Sequence, residues 1–408
     1  MKLNCRICEV TVQPFMSFGK MPIANGFLTP KDFDKEYFYE LKPGFCENCL
    51  TFQILEQPDP EKMFHQNYAF FSRTSRRMVD HFKAYADWVK NEYLTTSNPF
   101  VVEIGSNDGS MLENFSKKNI RHLGIEPSSN VAEEARKYNV NTSCAFFNLT
   151  TAEKIVSEYG EADALIAANV MCHIPDLHEV AQGIDHLLNS MGVVVFEEPY
   201  LGDMIKNTAY DQIYDEHVYI FSTRSVKNIF SKYGFELIEV KPQPTHGGSM
   251  RYVLARNEKR SISKSVEKQL NYEDENNLHL KGTYDLFRER CELSRKNLID
   301  ILQKQKSNGR RVVGYAATSK STTVLNYCSI GPDLIDFISD TTPIKQGKYS
   351  PGAHIPILSY EELRKGYPDS LLLFAWNHKT EIMEKEFSFL EKGGEWIVYV
   401  PDVALIRK

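Results

Sequence analysis

Short apolar runs recur along the middle of the chain, each followed by a polar or glycine-bearing break. In NPFVVEIGSNDGSMLENF, Phe100 to Ile104 form a buried strand. Gly105 opens a turn, and Met111, Leu112 and Phe115 have helical spacing. RHLGIEPSSNVAEEA ends a second strand on Glu126. DALIAANVMCHIPD is a strand running into a loop with Asn169 and His173, and MGVVVFEEPY is another strand. FELIEVKPQP and MRYVLARN, separated by THGGS, predict a terminal antiparallel pair. Strands alternating with helices in this way predict an α/β fold built on a parallel sheet.

Beyond Arg256 the pattern changes. From Ser261 to Lys306 the chain is polar, charged and helical in period, which predicts a solvated helical hairpin. Leu280, Leu286, Leu293, Leu298 and Leu302 are its expected buried contacts. Past Arg310, RRVVGYAATSKSTTVLNYC is strand, small-residue loop and helix, and LIDFISDTT, SLLLFAWNHK and EWIVYVPD add buried strands. These predict a second α/β sheet. Its first loop sets Ser319, Lys320, Ser321 and Thr322 at a helix N-terminus, which suits an anion, although Lys320 could equally be an ordinary helix-start lysine. Asp340 and Asn377 end later strands on the same carboxyl edge, where ligands of open α/β sheets collect.

Composition narrows the function. The 408 residues are 42% hydrophobic and 12% aromatic, enough for substantial cores in two or three domains. A net charge of −6 argues against a protein whose main task is gripping nucleic acid. No apolar run approaches the ~20 residues of a membrane helix, and MKLNCRICEV has no signal-peptide character, so no membrane partner and a cytoplasmic location are expected. Eight cysteines without a secretion signal fit a reducing compartment. Cys144, Cys172, Cys291 and Cys328 stand singly in apolar surroundings and are expected in the core.

The other four are paired. NCRICEV and FCENCLT supply Cys5, Cys8, Cys46 and Cys49, two C-x-x-C knuckles that give the four thiolates of a closed, structural Zn²⁺ site. A redox role would need only one such pair. The zinc would staple a segment small for a self-supporting core. The expected division is residues 1–66 for the zinc-binding domain, 67–256 for the central domain, and 257–408 for the helical linker and C-terminal α/β domain.

Glu126 lies where a carboxylate can accept both ribose hydroxyls of an adenosine, about 20 residues beyond the glycine turn. The turn lacks the G-x-G-x-x-G of dinucleotide folds and the Lys-Ser/Thr of phosphate loops. Glu103 would repel a pyrophosphate but suit a cationic amino-acid ligand. These points favour S-adenosylmethionine (SAM) and a class I, Rossmann-like methyltransferase domain. The expected contacts are Glu103, Gly105, Ser106, Asn107, Asp108, Glu126, Pro127, Asn169 and His173. The loop pattern E/D-x-G-x-G-x-G has Asn107 in place of its middle glycine, a residue that tolerates the left-handed conformation. The bland alternative is an ordinary α/β turn.

Ile213 to Ser222, IYDEHVYIFS, places a phenol, two carboxylates and an imidazole together. With the four cysteines, the EIGSNDG loop, the THGGSMR that follows, and DTTPIKQGKYSPGAHIPI, this segment completes a pattern along the whole chain. That pattern resembles the SAM-dependent C-methyltransferases of nucleotide-deoxysugar biosynthesis. The resemblance implies a zinc domain, a SAM domain and a second Rossmann-like domain, with a nucleotide-diphosphate 4-keto-deoxysugar bound between the last two and C3 as the methylated carbon. C5 stays open, since a 4-ketone acidifies both positions. Relatives carry tyrosines at Tyr68 and Tyr214. The substrate-contacting positions carried over are Ser249, Arg251, Lys320, Thr323, Asn326, Asp340, Lys345 and Asn377. Relatives read GAxxKGNT where this chain has AATSKSTT, which bears on the nucleotide and the sugar more than on the reaction.

The chemistry can be argued separately. A ring carbon takes a methyl group only as a carbanion equivalent, so the site needs a base of near-neutral pKa and a donor to the enolate oxygen. His217 is the natural base. Glu216 either orients it or serves the sugar, and Tyr214 and Tyr68 are candidate enolate donors. Tyr214 and His217, three apart, converge if the segment is turn-like. A buried structural His-Glu pair is the bland reading. A zinc-knuckle RNA methyltransferase is the rival from another substrate class, opposed by the acidic balance. No nucleic-acid partner and a monomer are expected.

Overall fold

The computed structural model describes residues 3–63 and 71–408. Tyr68 lies outside the described residues. In the N-terminal part, β1 (Lys20–Pro22) and β2 (Phe38–Glu40) form an antiparallel ribbon, and β3 (Pro43–Cys46) and β4 (Thr51–Ile54) form a hairpin whose turn carries the second cysteine pair.

The central sheet contains β5 (Phe100–Ile104), β6 (Arg121–Ile125), β7 (Thr142–Ser143), β8 (Ala162–Ala168), β9 (Leu188–Pro199), β11 (Phe235–Gln243) and β12 (Ser249–Arg256). Their order is β11-β12-β9-β8-β5-β6-β7, with β12 alone antiparallel to its neighbours. β5 is buried along its whole length, as a strand covered on both faces must be. The first crossovers run outward from β5 in one direction and later ones in the other. This creates a switch point at its carboxyl end, where ligands of such sheets bind.

Between β9 and β11 the chain forms β10 (Tyr219–Ile220), which pairs antiparallel with β4 in the order β10-β4-β3. The segment after His217 is thus stitched into the N-terminal sheet. The last sheet comprises β13 (Val312–Tyr315), β14 (Ile338–Asp340), β15 (Ile357–Ser359), β16 (Ser370–Leu373), β17 (Glu395–Val398) and β18 (Ala404–Ile406). Its order is β15-β14-β13-β16-β17-β18, parallel except for β18. This is the expected second Rossmann-like α/β sheet.

Three expectations are corrected. The helix after the glycine turn is a single turn, Glu113–Ser116, because the residues before it are spent in tight turns and Asn119, at φ 55°, ends it. The hairpin of Lys264–Glu275 and Lys281–Ser307 exists, but Leu280, Leu286 and Leu293 are exposed and only Leu298 and Leu302 are buried. The covered stripe of the long helix is Tyr284, Phe287, Cys291, Ser294, Leu298 and Leu302, spaced three or four apart. Each large apolar member of it contributes roughly 1.5–3 kcal/mol of burial. Cys144 is exposed, its Sγ 3.5 Å from the Pro127 carbonyl, whereas Cys172, Cys291 and Cys328 are buried. Among the described residues no helix is long and apolar enough to cross a membrane.

Candidate active site

The four paired cysteines converge. Their Sγ atoms lie within 4.8 Å of one another, with Cys5 and Cys49 3.5 Å apart and Cys8 and Cys46 3.4 Å apart. A tetrahedral zinc with ~2.3 Å bonds sets sulfurs about 3.8 Å apart, so the donor set fits the ion. Each knuckle bends back through a left-handed residue after its second cysteine, Glu9 at φ 62° and Leu50 at φ 59°. Ile7 N and Gln53 Nε2 donate to Cys5 Sγ at 3.4 and 3.1 Å, partners suited to a thiolate ligand. All four places are filled by protein sulfur, so the zinc is structural.

A cavity of about 370 Å³ opens at the carboxyl end of β5. One end is acidic. Glu103 and Glu126 line it together with Gly105, Ser106, Asn107, Pro127 and Asn169. Glu126 is held by two backbone N–H donors, from Asn107 at 2.9 Å and Ser128 at 2.8 Å, leaving each oxygen a lone pair for a ligand hydroxyl. Burial raises its pKa. Glu103 is pushed well above the usual carboxylate range by burial, with Asp108 and Glu126 adding to it, and its Oε2 is buried without a hydrogen-bond partner. A buried, unsatisfied carboxylate oxygen beside two other carboxyl groups calls for a cationic ligand, which the amino group of SAM would supply. Gly105 sits at φ 65° against Val170, where an added Cβ would come within 2.4 Å of a methyl. Asn107 adopts the left-handed conformation at φ 48° that its identity foreshadowed. Residues fit the cofactor here, on the chemistry of the donor set.

The imidazole of His217 lines the same cavity. Its Nδ1 is 2.6 Å from the Gln212 carbonyl and its Nε2 is 2.9 Å from Tyr214 Oη. A carbonyl only accepts, so Nδ1 carries the proton and Nε2 takes the phenol's hydrogen bond. Burial first, and the adjacent His173, hold His217 well below the usual imidazole range. The two imidazoles stack with centroids 5.4 Å apart. Hence His217 is neutral, with its lone pair on Nε2. The group behind it is the Gln212 carbonyl rather than Glu216, which instead accepts from Asn25 Nδ2 at 2.6 Å.

The other end of the cavity is cationic. Lys320 and Lys345 line it with Asn377, and Thr318 and Ser319 enter it at the start of the helix Ser319–Tyr327. Lys320 Nζ is 3.4 Å from the His246 carbonyl, and Lys345 Nζ donates to the Ala317 carbonyl at 2.8 Å. Burial lowers the pKa of both, opposed for Lys320 by Asp211 and for Lys345 by Asp340.

Other expected contacts stand off the cavity wall and hold it together. Asp108 accepts from Arg73 N at 2.7 Å and from Ser110, N and Oγ. Asp340 accepts from the backbone N–H of Ala317 and Thr342, both at 2.7 Å. Thr323 donates to the Ile213 carbonyl, and Asn326 to those of Thr322 and Pro351. Ser249 donates to the Thr245 carbonyl. Arg251 grips Glu197 at 2.7 and 3.1 Å and packs on the Tyr85 ring. Glu197 is lowered to about 2 although burial would raise it, because His81 and Arg251 outweigh burial. Ser249 and Arg251, carried over from the resemblance, therefore lie behind the cavity wall rather than on it.

Sequence reasoning missed Asn25, His246 and His378, all on the cavity wall. His246 adopts φ 53° beside Asn169, whose Nδ2 is 3.1 Å from its Nε2, and burial followed by Lys320 lowers it to about 3. It also missed Glu198, which supports the Asn169–His173 loop by accepting from Val170 N and Met171 N at 3.0 and 2.7 Å. Burial raises Glu198 to about 7. The THGGS motif was a usable signal for His246. Nothing local marked Asn25 or Glu198.

The sheet order and the acidic ligand-binding end define a SAM-dependent methyltransferase of class I. The comparisons make this specific: residues 244–401 match the C-methyltransferase C-terminal domain, 74–240 a methyltransferase domain and 5–64 a zinc binding domain. The chain is 32% identical over 406 residues to the C-methyltransferase NovU of Streptomyces niveus, covering 99% of this chain and 96% of that one. It belongs to this C-methyltransferase family. Among solved structures it is similar to a SAM-dependent methyltransferase from Anabaena variabilis, at 18% identity and TM-score 0.34, over 43% of this chain and 84% of that one. It is also similar to the magnesium protoporphyrin IX methyltransferase of Synechocystis with bound SAH, at 16% identity and TM-score 0.33, over 44% and 83%.

Proposed function

We propose that the protein methylates C3 of a nucleotide-linked 4-keto-deoxysugar, with His217 as the base. The observation that carries this is the Tyr214–His217 pair, which lines one cavity together with the carboxylates Glu103 and Glu126 and the lysines Lys320 and Lys345. The acidic end suits the adenosyl and amino groups of the methyl donor. Lys320 and Lys345, with the helix start at Ser319, suit a diphosphate.

His217 Nε2 takes the proton from the carbon beside the ketone, and the C–H pair moves into the enolate. The Tyr214 phenol, which donates to Nε2 in the structure, turns to donate to the oxygen where charge develops. SAM, when bound, would supply an electrophilic methyl on a positively charged sulfur, so that the enolate pair forms the new C–C bond while the sulfur keeps the pair of the broken S–C bond. The proton then on His217 is shared between Nε2 and the phenol until solvent takes it. The depressed pKa keeps His217 unprotonated when substrate arrives, at a cost in basicity toward the carbon acid.

The test is incubation with SAM and a panel of sugar nucleotides, followed by mass and NMR analysis of the product. S-adenosylhomocysteine released only with a nucleotide 4-ketosugar, and a new methyl on C3, is the expected result. Equal turnover of sugars without a ketone, or of RNA, would contradict it.

A further inference from the structure

The zinc-bearing segment reaches the cavity. Its turn at Ile23–Gly26 is wedged between the two larger α/β units. Ala24 N lies 3.2 Å from both carboxylate oxygens of Asp215, and the Ala24 carbonyl accepts from Thr322 Oγ1 at 2.8 Å. Gln57 Nε2 adds a bond to the Asp215 carbonyl at 3.3 Å. At the tip, the Asn25 amide uses both ends. Its Nδ2 donates to Glu216 Oε1 at 2.6 Å, and its Oδ1 accepts from Ser319 Oγ at 3.1 Å. Asn25, Glu216 and Ser319 all line the cavity.

We propose that Asn25 is a positioning residue for the substrate, fixing Glu216 to accept from a sugar hydroxyl and Ser319 to face the diphosphate. The assignment rests on the sugar-nucleotide reading above and deepens it. An amide suits this place because one group must donate to a carboxylate and accept from a hydroxyl. A hydrocarbon would do neither, and a carboxylate would set a second negative charge against Glu216. The zinc cluster, by ordering the segment, then bears on substrate affinity as well as on folding. The cofactor end, at Glu103 and Glu126, belongs to other elements, so SAM affinity should be independent of Asn25.

The experiment compares wild type, Asn25→Ala and Asn25→Asp for kcat and KM with a nucleotide 4-ketosugar, for S-adenosylhomocysteine affinity by calorimetry, and for zinc content. Asn25→Ala should raise the sugar-nucleotide KM about tenfold and Asn25→Asp about a hundredfold, as expected for a lost and a reversed charge-assisted hydrogen bond. kcat should stay within about threefold, cofactor affinity within about twofold, and zinc at the wild-type level. An unchanged KM in both variants overturns the assignment. So does a KM rise accompanied by equal losses of zinc and cofactor affinity, which marks a purely structural segment. A wild-type protein that turns over no nucleotide 4-ketosugar refutes the functional reading itself, and this assignment falls with it.

Discussion

Tyr214 Oη donates to His217 Nε2 at 2.9 Å, and the Gln212 carbonyl fixes the tautomer from the other side of the ring at 2.6 Å. The two residues are three apart in a turn closed by the bond from His217 N to the Tyr214 carbonyl. A short segment thus presets a neutral imidazole whose lone pair is covered by a phenol donor.

Replacing Tyr214 by Phe therefore has two separable effects. Loss of the donor to the enolate should lower kcat about 10²- to 10³-fold. A donor to Nε2 also favours the neutral ring, so its removal should raise the His217 pKa. In wild type, burial and His173 depress that pKa, so the acid limb of kcat/KM should lie below the ~6.5 of a free imidazole. In Tyr214→Phe the limb should move to higher pH. Profiles of kcat/KM from pH 5 to 9 measure this, and an unmoved limb would argue against the pair acting as a unit.

Gly105→Ala should damage the cofactor end. The left-handed backbone at φ 65° costs a non-glycine residue roughly 1–2 kcal/mol. The new methyl would also strike Val170, next to Asn169. We expect a lower melting temperature and S-adenosylhomocysteine affinity weakened at least ~10-fold, read by calorimetry. Glu126→Gln should weaken affinity as well, because an amide turns a donor toward one of two backbone N–H groups.

Cys46→Ser should lower zinc from one ion per chain, measured by plasma emission. It should also make the stretch up to Met63 susceptible to limited proteolysis, because the binding free energy of a structural zinc is folding free energy. Full zinc-free resistance would contradict a stapling role.

What was legible in the sequence was local. The cysteine spacing, the left-handed Asn107, the acidic strand end at Glu126 and the convergence of Tyr214 with His217 all depend on neighbours within a few residues or one α/β unit. Leu286 and Leu293 misled because a leucine alone does not locate a helix face; Tyr284, Phe287 and Cys291 define it. Asn25 and Gln212 were illegible for another reason. Asn25 acquires its place from contacts with Glu216, 191 residues away, and with Ser319, 294 away. Gln212 acts through a backbone carbonyl, which every residue type possesses.

The most direct test of His217 as the carbon base is solvent deuterium exchange into a nucleotide 4-ketosugar, followed by NMR, in wild type and His217→Asn. Wild type should exchange the C3 hydrogen, and the variant should lose that exchange by ~10²- to 10⁴-fold while still binding S-adenosylhomocysteine. Exchange at the wild-type rate in His217→Asn would contradict the account.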